Sequence, residues 1–442
     1  MNIPFRWAAL FAVAACSLTG WAEAQTFSSA NYSNPAITQG YRPNYSAPPV
    51  NSTWAAYGKE SMPSHATPHV PTHPNTHPGH TDPSVLSYYD TPSSDCYSLT
   101  GPGSEEAYCG PMPLAPLNSR CGWFGSAGGL VMTRDHENFL PFSYATSNEA
   151  NQLVTNRDAA FDVAGGVEGR FGRYFNCGQS SLEFVFWTII PGTQSYQLLG
   201  SDVAGDLNGI YNWDQLNYNG NTADAFVNDA MVHRIRRSYE FQNYELNWNT
   251  YLTPQGCGAL EVQGIAGFRV FRFGETLDFG ADTVDTVFTG DPAEIHYNID
   301  VDNRLYGFQL GTLSQYRFSP CWSLNTKILG GLFANDISHR SFIGGAAGTA
   351  VVNNGPNNGT PFDVAGSDTS FALMGELDFG LTYRPTCNWQ IGAGYRAMGV
   401  SGVALASNQL FFDLRGVNDV ATIEKNGDLI LHGGYFNLSY NY

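Results

Sequence analysis

After residue 119 polar and apolar residues alternate with a period of two, the spacing of β-strands that have one greasy and one wet face. In the C-terminal run LILHGGYFNLSYNY, Ile430, Gly434, Phe436, Leu438, Tyr440 and Tyr442 share one face, and Asn437, Ser439 and Asn441 the other. Tyr306, Phe308, Leu310, Tyr316 and Phe318 likewise oppose Gln309, Gln315 and Arg317. Phe371, Leu373, Leu377, Phe379, Leu381 and Tyr383 oppose Glu376, Asp378, Thr382 and Arg384, while Tyr244, Leu246, Trp248 and Leu252 oppose Asn243, Glu245, Asn247 and Asn249. Segmentation on this period predicts ten strands, at roughly 122–133, 159–175, 180–190, 238–253, 259–273, 303–318, 322–334, 369–385, 388–399 and 428–442.

The connections alternate in length. Short ones fall at 176–179, 254–258, 319–321 and 386–387, and long polar ones at 134–158, 191–237, 274–302, 335–368 and 400–427. Tight turns on one rim, long loops on the other and an even strand count are the signature of an outer-membrane barrel. The expectation is therefore an all-β, transmembrane, antiparallel up-and-down β-barrel over residues 119–442. Alternation by itself also suits a sandwich. The competing class is a soluble or lipid-anchored secreted β-rich binding protein whose greasy faces meet in a core.

If the greasy face meets lipid, the interior must hold Glu168, Arg170, Glu183, Glu245, Glu261, Arg269, Arg317, Lys327, Glu376, Asp378, Arg384 and Arg396. Ten strands enclose little more than the eight-stranded case that side chains alone can fill. These interleaved charges are expected to form a paired plug, leaving a structural or surface role with at most narrow or gated porin-type permeation.

Composition supports export and β-structure, with 48 Gly, 14% aromatic residues and only 14% charged residues, against about 25% charged in ordinary soluble domains. The formal charge of −18 excludes the basic footprint that nucleic-acid binding needs. Residues 1–24 have the layout of a cleaved signal peptide: Arg6, an apolar run from Trp7 to Leu18, and the Ala22-Glu23-Ala24 site. The mature chain would begin at Gln25, although Val13-Ala14-Ala15-Cys16 also resembles a lipoprotein box. Past the signal, no apolar run approaches the roughly 20 residues of a spanning helix.

Residues 25–118 are rich in Pro, Ser, Thr, Asn and His and read as an extended, disordered arm. His65, His69, His73, His77 and His80 within it could chelate a transition metal weakly. Intervening prolines forbid the helix that would align them, so a Pro-rich spacer is the preferred reading.

Cysteines recur at the tight turns, in RFSPCWSL and RPTCNWQI and more loosely around Cys257 and Cys177. With Cys121 at the first strand, five cysteines, Cys121, Cys177, Cys257, Cys321 and Cys387, should ring one rim, and Cys96 and Cys109 lie in the arm. Adjacent short turns sit two strand spacings apart, about 10 Å, whereas a disulfide needs Cα atoms within about 7 Å. Disulfides that draw neighbouring turns together and tie the arm to the rim are preferred over a tetrathiolate metal site, because no Cys-x-x-Cys pair is present. Seven mature cysteines leave one unpaired or intermolecular.

The runs CGWFGSAGGLVMTRDHENFLPFSY, FDVAGGVEGRFGRYFNCGQSSLEFVFW and GDLILHGGYFNLSYNY resemble the planctomycete β-barrel porin family. Shared features are a Trp-x-aromatic opening strand, a Gly-rich second strand leading into Leu-Glu-aromatic, and an LHG last strand. The likeness spans about residues 119–442. It implies an outer-membrane barrel and brings no substrate, cofactor or catalytic residue. The terminal Tyr442, with aromatic or apolar residues at every second position behind it, looks like the signal read by the barrel assembly machinery.

Ten-stranded outer-membrane proteases resemble the chain in size and in carrying Asp and His at the outer rim. His136, His233, His296 and His339, with Asp135 and Asp229, fall in or beside the long loops. No motif holds one of them against a nucleophile, so no enzyme activity is expected. The stretch containing Glu275, Asp278, Asp282, Asp285, Asp291, Glu294, Asp300 and Asp302 could offer oxygens to Ca²⁺, but it lacks a calcium-loop spacing and is read as a hydrated acidic loop. Residues 409–425 are expected to form a short helix over the outer rim, weakened by Gly416. No cofactor is expected.

Overall fold

The computed structural model describes residues 122–135, 138–253, 259–386 and 388–442. Ten strands build its wall: β1 (Trp123–Arg134), β2 (Ala164–Phe175), β3 (Ser180–Leu199), β4 (Val232–Tyr251), β5 (Leu260–Asp282), β6 (Ile295–Arg317), β7 (Trp322–Gly345), β8 (Asp363–Tyr383), β9 (Trp389–Val403) and β10 (Gly427–Asn441). Each pairs antiparallel with its chain neighbours, and β1 pairs with both β2 and β10, so the sheet closes. The closed barrel overturns the sandwich alternative. Among the described residues no helix is long and apolar enough to cross a membrane.

The turn-side ends of the strands lie close to those read from the sequence, but the loop-side ends of β3 to β8 run further, while β2 begins five residues later than expected, at Ala164. β5 extends to Asp282 and β6 begins at Ile295, so most of the supposed acidic loop is strand; β7 likewise continues to Gly345. The cause is a change of face. Tyr244, Val270, Tyr306, Ala334 and Phe371 are aligned by register across β4 to β8. On the turn side of this level the outward residues are apolar, as at Phe308, Leu332 and Leu377, and the inward ones are polar, as at Gln309, Lys327 and Glu376. Beyond it the outward positions become Arg272, Arg304, Asp336 and Thr369, while inward Phe271, Leu277, Ile299, Ile337 and Val364 are buried.

Two solvents explain this inversion. The lower storey has the pattern that a wall among acyl chains requires, with its apolar side facing out and its polar side satisfied within. The upper storey stands in water and forms an ordinary hydrophobic core. From Leu260 to Val270, or Tyr316 to Tyr306, the apolar run is about 11 residues, the length of a tilted spanning strand. Aromatic pairs girdle the turn end: Trp123 stacks on Phe171 at 5.0 Å, Trp322 lies 4.7 Å from Tyr383, and Trp389 lies 4.8 Å from Tyr440. Such rings favour the membrane interface, where one end is apolar and the other wet.

The storeys predict unequal tolerance. Leu310 sits mid-band and is 53% exposed, so Leu310→Arg should cost about 2–4 kcal/mol in lipid. Ser338→Arg, outward but above the band, should be nearly neutral. Urea midpoints of the two variants in liposomes test this, and equal midpoints would refute the placement of the band.

Local backbone devices release the chain from the wall. In β3 the register shifts between Ile189 and Gly192, where Pro191 sits, at a position that needs no ladder donor. In β9 the register shifts at Gly402, whose φ is +83°, and a Cβ there would meet the Phe371 carbonyl oxygen at 2.5 Å. Past that bulge the chain turns inward as a strap. The helix expected over 409–425 is reduced to one turn, Val417–Val420, preceded by a 3-10 turn at Ala406–Gln409; the strap is held by packing instead, with Leu414 and Val420 fully buried.

Candidate functional site

The interior is layered from the turn end to the loop end. At the turn end a cavity of about 230 Å³ reaches up to Arg170, Glu183, Glu245, Lys327 and Asp378, and below them is lined by amides and hydroxyls, including Asn249, Gln263, Gln315, Asn325 and Ser439. These are short polar side chains on inward positions of the membrane-spanning storey.

Above this cavity the lumen is crossed by charge. Arg396 donates to Glu168 at 2.6 Å and to Asp378 at 3.3 Å. Arg269 donates to Glu376 at 2.7 Å and to Asn243 at 2.6 Å, with Glu245 at 3.7 Å. Lys327 lies 2.5 Å from Glu376, and Arg170 reaches Glu168 at 2.8 Å and Glu183 at 3.7 Å. Gln309 donates to Glu245 and the Tyr435 hydroxyl to Asp378. Arg269 and Arg396 are each 1% exposed, so the cations are enclosed by partners rather than by water.

Glu261 and Arg317 lie nearer the turn rim, paired with each other at 3.1 Å. The backbone N–H of Arg384 donates to the Cys321 carbonyl at 2.8 Å. The structure thus gathers Glu168, Arg170, Glu183, Glu245, Arg269, Lys327, Glu376, Asp378 and Arg396 into one belt and leaves Glu261, Arg317 and Arg384 at its mouth.

A hydrophobic plug follows. Trp187, Phe241, Phe271, Phe273 and Phe333 are buried across the lumen with Met398, Val400 and Leu431. Phe241 stacks on Phe273 at 4.9 Å, and the Met398 sulfur accepts from Arg269 at 3.1 Å, joining plug to belt.

Higher still, Glu275 is buried between Arg134, at 3.5 Å, and Arg237, and accepts from the Ala406 N–H at 3.0 Å. Both guanidiniums lie over the Tyr239 ring. The residues alone do not show this cluster, because Glu275 has the sequence surroundings of a loop acid and Arg134 and Arg237 stand beyond the face inversion. The signal that could have found them is a continued period of two with polarity reversed.

The long loops cap the upper storey with a second core, in which Phe142, Trp213, Leu216, Phe279 and Tyr297 are buried. Asn303 clamps the strap from both sides, donating to the Ala404 carbonyl and accepting its N–H, each at 2.8 Å. Gln215 accepts from Leu414 N–H at 2.7 Å. His233 is fully buried; its Nε2 bonds the Val227 carbonyl at 2.8 Å and its Nδ1 the Ser143 hydroxyl at 2.6 Å. A carbonyl only accepts, so Nε2 carries the proton and the serine donates to Nδ1. Burial holds this imidazole's pKa down at about 4, and burial does the same to His339, also to about 4.

The residues weighed for hydrolysis do not assemble. His233 and His339 are buried, His296 bonds Asp278 at 3.2 Å, Asp135 accepts from Ile430 N–H, and the Asp229 N–H donates to Asn208. His136 lies outside the described residues.

Of the candidate disulfide cysteines, Cys96, Cys109, Cys121, Cys257 and Cys387 also lie outside them, as does the His65–His80 tract. Cys321 is a free thiol in the structure.

A closed antiparallel ten-strand wall with an apolar outer band agrees with what sequence comparison finds. Residues 130–425 match the family described as Putative beta barrel porin-7 (BBP7). The chain belongs to the BBP7 family. No curated protein matches it at a significant level. Among solved structures, the outer membrane protease OmpT from Escherichia coli is similar at 12% identity and a TM-score of 0.38, covering 73% of this chain and 98% of that one. A major outer membrane protein of Thermus thermophilus aligns at 10% identity and TM-score 0.27, over 73% and 99% of the two chains. The translocator domain of the autotransporter NalP from Neisseria meningitidis aligns at 10% and 0.25, over 73% and 89%. At these scores none carries an argument about this BBP7 chain's activity.

Proposed function

We propose that this BBP7 protein is a closed outer-membrane barrel with a structural and surface-presenting role, non-enzymatic, and impermeable at rest. The observation that carries the reading is the succession of a paired charge belt, an aromatic plug and a loop cap across one lumen. Arg396 and Glu376 leave no water file beside them, being 1% and 3% exposed. Solute passage would require breaking ion pairs and moving Phe241, Phe271 and Phe333 together.

The rest of the reading follows from membrane residence. The signal sequence is removed after Ala24, the arm lies in the periplasm, and acyl chains contact the band from Leu260 to Val270. Assembly machinery reads Tyr442, which is 76% exposed and whose N–H closes the seam on the Trp123 carbonyl at 2.9 Å. The motif likeness supports a planctomycete source, and disulfides among the turn and arm cysteines remain part of the reading, with Cys321 the thiol to map.

Planar-bilayer recording on the refolded full chain tests closure. The expected trace is flat at moderate voltage. Stable conductance steps from the native protein would overturn the closed reading and return narrow permeation as its function.

A further inference from the structure

The connection between β5 and β6 is a short acidic loop above the lipid band. It folds so that Asp282, Asp291 and Glu294 each place a carboxylate oxygen within 4.8 Å of the other two. Asp282 is 0% exposed and Glu294 2%, so water screens their mutual repulsion poorly.

The loop's own amides occupy one oxygen of each group. Asp282 Oδ1 accepts from Val284 N–H at 2.8 Å and Asp285 N–H at 3.4 Å. Asp291 Oδ1 accepts from Ala293 N–H at 2.6 Å, and Glu294 Oε1 from Gly290 at 2.7 Å, Asp291 at 3.3 Å and Thr289.

A separate observation points to a ligand. Asp282 Oδ2 is buried with no hydrogen-bond partner. A buried carboxylate oxygen without a donor carries its full desolvation cost, and a cation is the group that relieves it without a new donor. Burial raises the Asp282 carboxyl, with the charges of Asp291 and Asp285 adding. At Glu294 burial acts the same way but is outweighed by the three amides, and the carboxyl is held low.

We propose that this loop binds a calcium ion through Asp282, Asp291 and Glu294. The donors are all oxygens, which excludes a soft transition-metal preference. Ca²⁺ takes 6–8 oxygens at about 2.3–2.6 Å, so any two oxygens on one ion stand no more than about 5 Å apart, a limit that the three groups here meet. Water would fill the positions on the open side, where Asp291 is only half-buried. Mg²⁺ demands a near-ideal octahedron that three carboxylates fixed by backbone amides do not offer. His296 Nε2 lies 3.6 Å from Glu294 Oε2. The ion would pin the β5–β6 hairpin end independently of whether the lumen conducts.

The test is calorimetric titration of Ca²⁺ into the chelator-treated, refolded full chain, with hydrogen exchange read over residues 283–294. Expected are saturable binding in the range of about 0.1–1 mM typical of extracellular sites and slower exchange in that loop alone. Asp291→Asn should weaken binding by about tenfold or more, since affinity follows ligand charge count. Asp368→Asn, in an exposed pair with Lys425, should leave it unchanged. Heat-shifted mobility on unboiled gels verifies that each variant is folded. Absence of saturable binding by the native chain at about 10 mM Ca²⁺, or native affinity in Asp291→Asn, overturns the site.

Discussion

Arg396→Met will destabilise the barrel by about 3–5 kcal/mol, the cost of leaving buried charges uncompensated. The guanidinium is 1% exposed and holds Glu168 and Asp378 at 2.6 and 3.3 Å. With it gone, Glu168 keeps only Arg170, and Asp378 only the Tyr435 hydroxyl and Lys327 at 3.9 Å, which leaves excess negative charge in a lumen with little water. The methionine fills a similar volume, so the loss is electrostatic rather than a cavity. Adding Glu168→Gln should return part of the stability, because it removes one of the excess negative charges. The internal control is Arg415, whose pair with Asp413 leaves their side chains 42% and 60% exposed; such surface pairs contribute about 0–1 kcal/mol. Denaturant midpoints in micelles measure all three. A cost for Arg396→Met as small as that for Arg415→Met would mean that the belt is hydrated and does not close the lumen.

The cap will loosen in acid, with the pH window set by its two buried histidines. Both have folded pKa values of about 4, below the value of about 6.5 expected when unfolded. The unfolded chain therefore binds protons first as pH falls, and stability declines between about pH 6.5 and 4. It is fully present above pH 6.5. Each histidine accounts for a loss on the order of 3 kcal/mol if the cap unfolds as a unit. At His233 the added proton would place a charge in a fully buried site whose core includes Phe279 at 5.1 Å ring separation. Protease resistance of the loops at pH 7.5 and 5.0, native against His233→Gln, reads the effect. The variant should lose about half of the difference, and an unchanged pH profile would exclude His233 as a cause.

Much of this architecture is legible in local pattern. The period of two runs through Tyr306 to Phe318 and Phe371 to Tyr383, and the turns around 176–179, 319–321 and 386–387 are short. A strand's side chains alternate whatever surrounds it, so strand count and the turn-side ends follow from the pattern. The belt residues from Glu168 to Arg396 were likewise readable, because a charge on the polar parity of a lipid-facing strand has only the interior to enter.

Three-dimensional packing decided the rest. Nothing in the run from Arg272 to Asp282 says locally that Phe273 and Leu277 turn inward, because that depends on where the acyl chains stop, a property of the assembled wall. Glu275 became an ion-pair centre only because β1 and β4 bring Arg134 and Arg237 to it. The strap from 404 to 426 is held by Asn303 and Gln215, distant in the chain. Period is set by backbone geometry within a few residues, whereas which face is buried is set by the solvent on each side of a closed wall. The sequence carries the first in every strand; the second exists only once the barrel has formed.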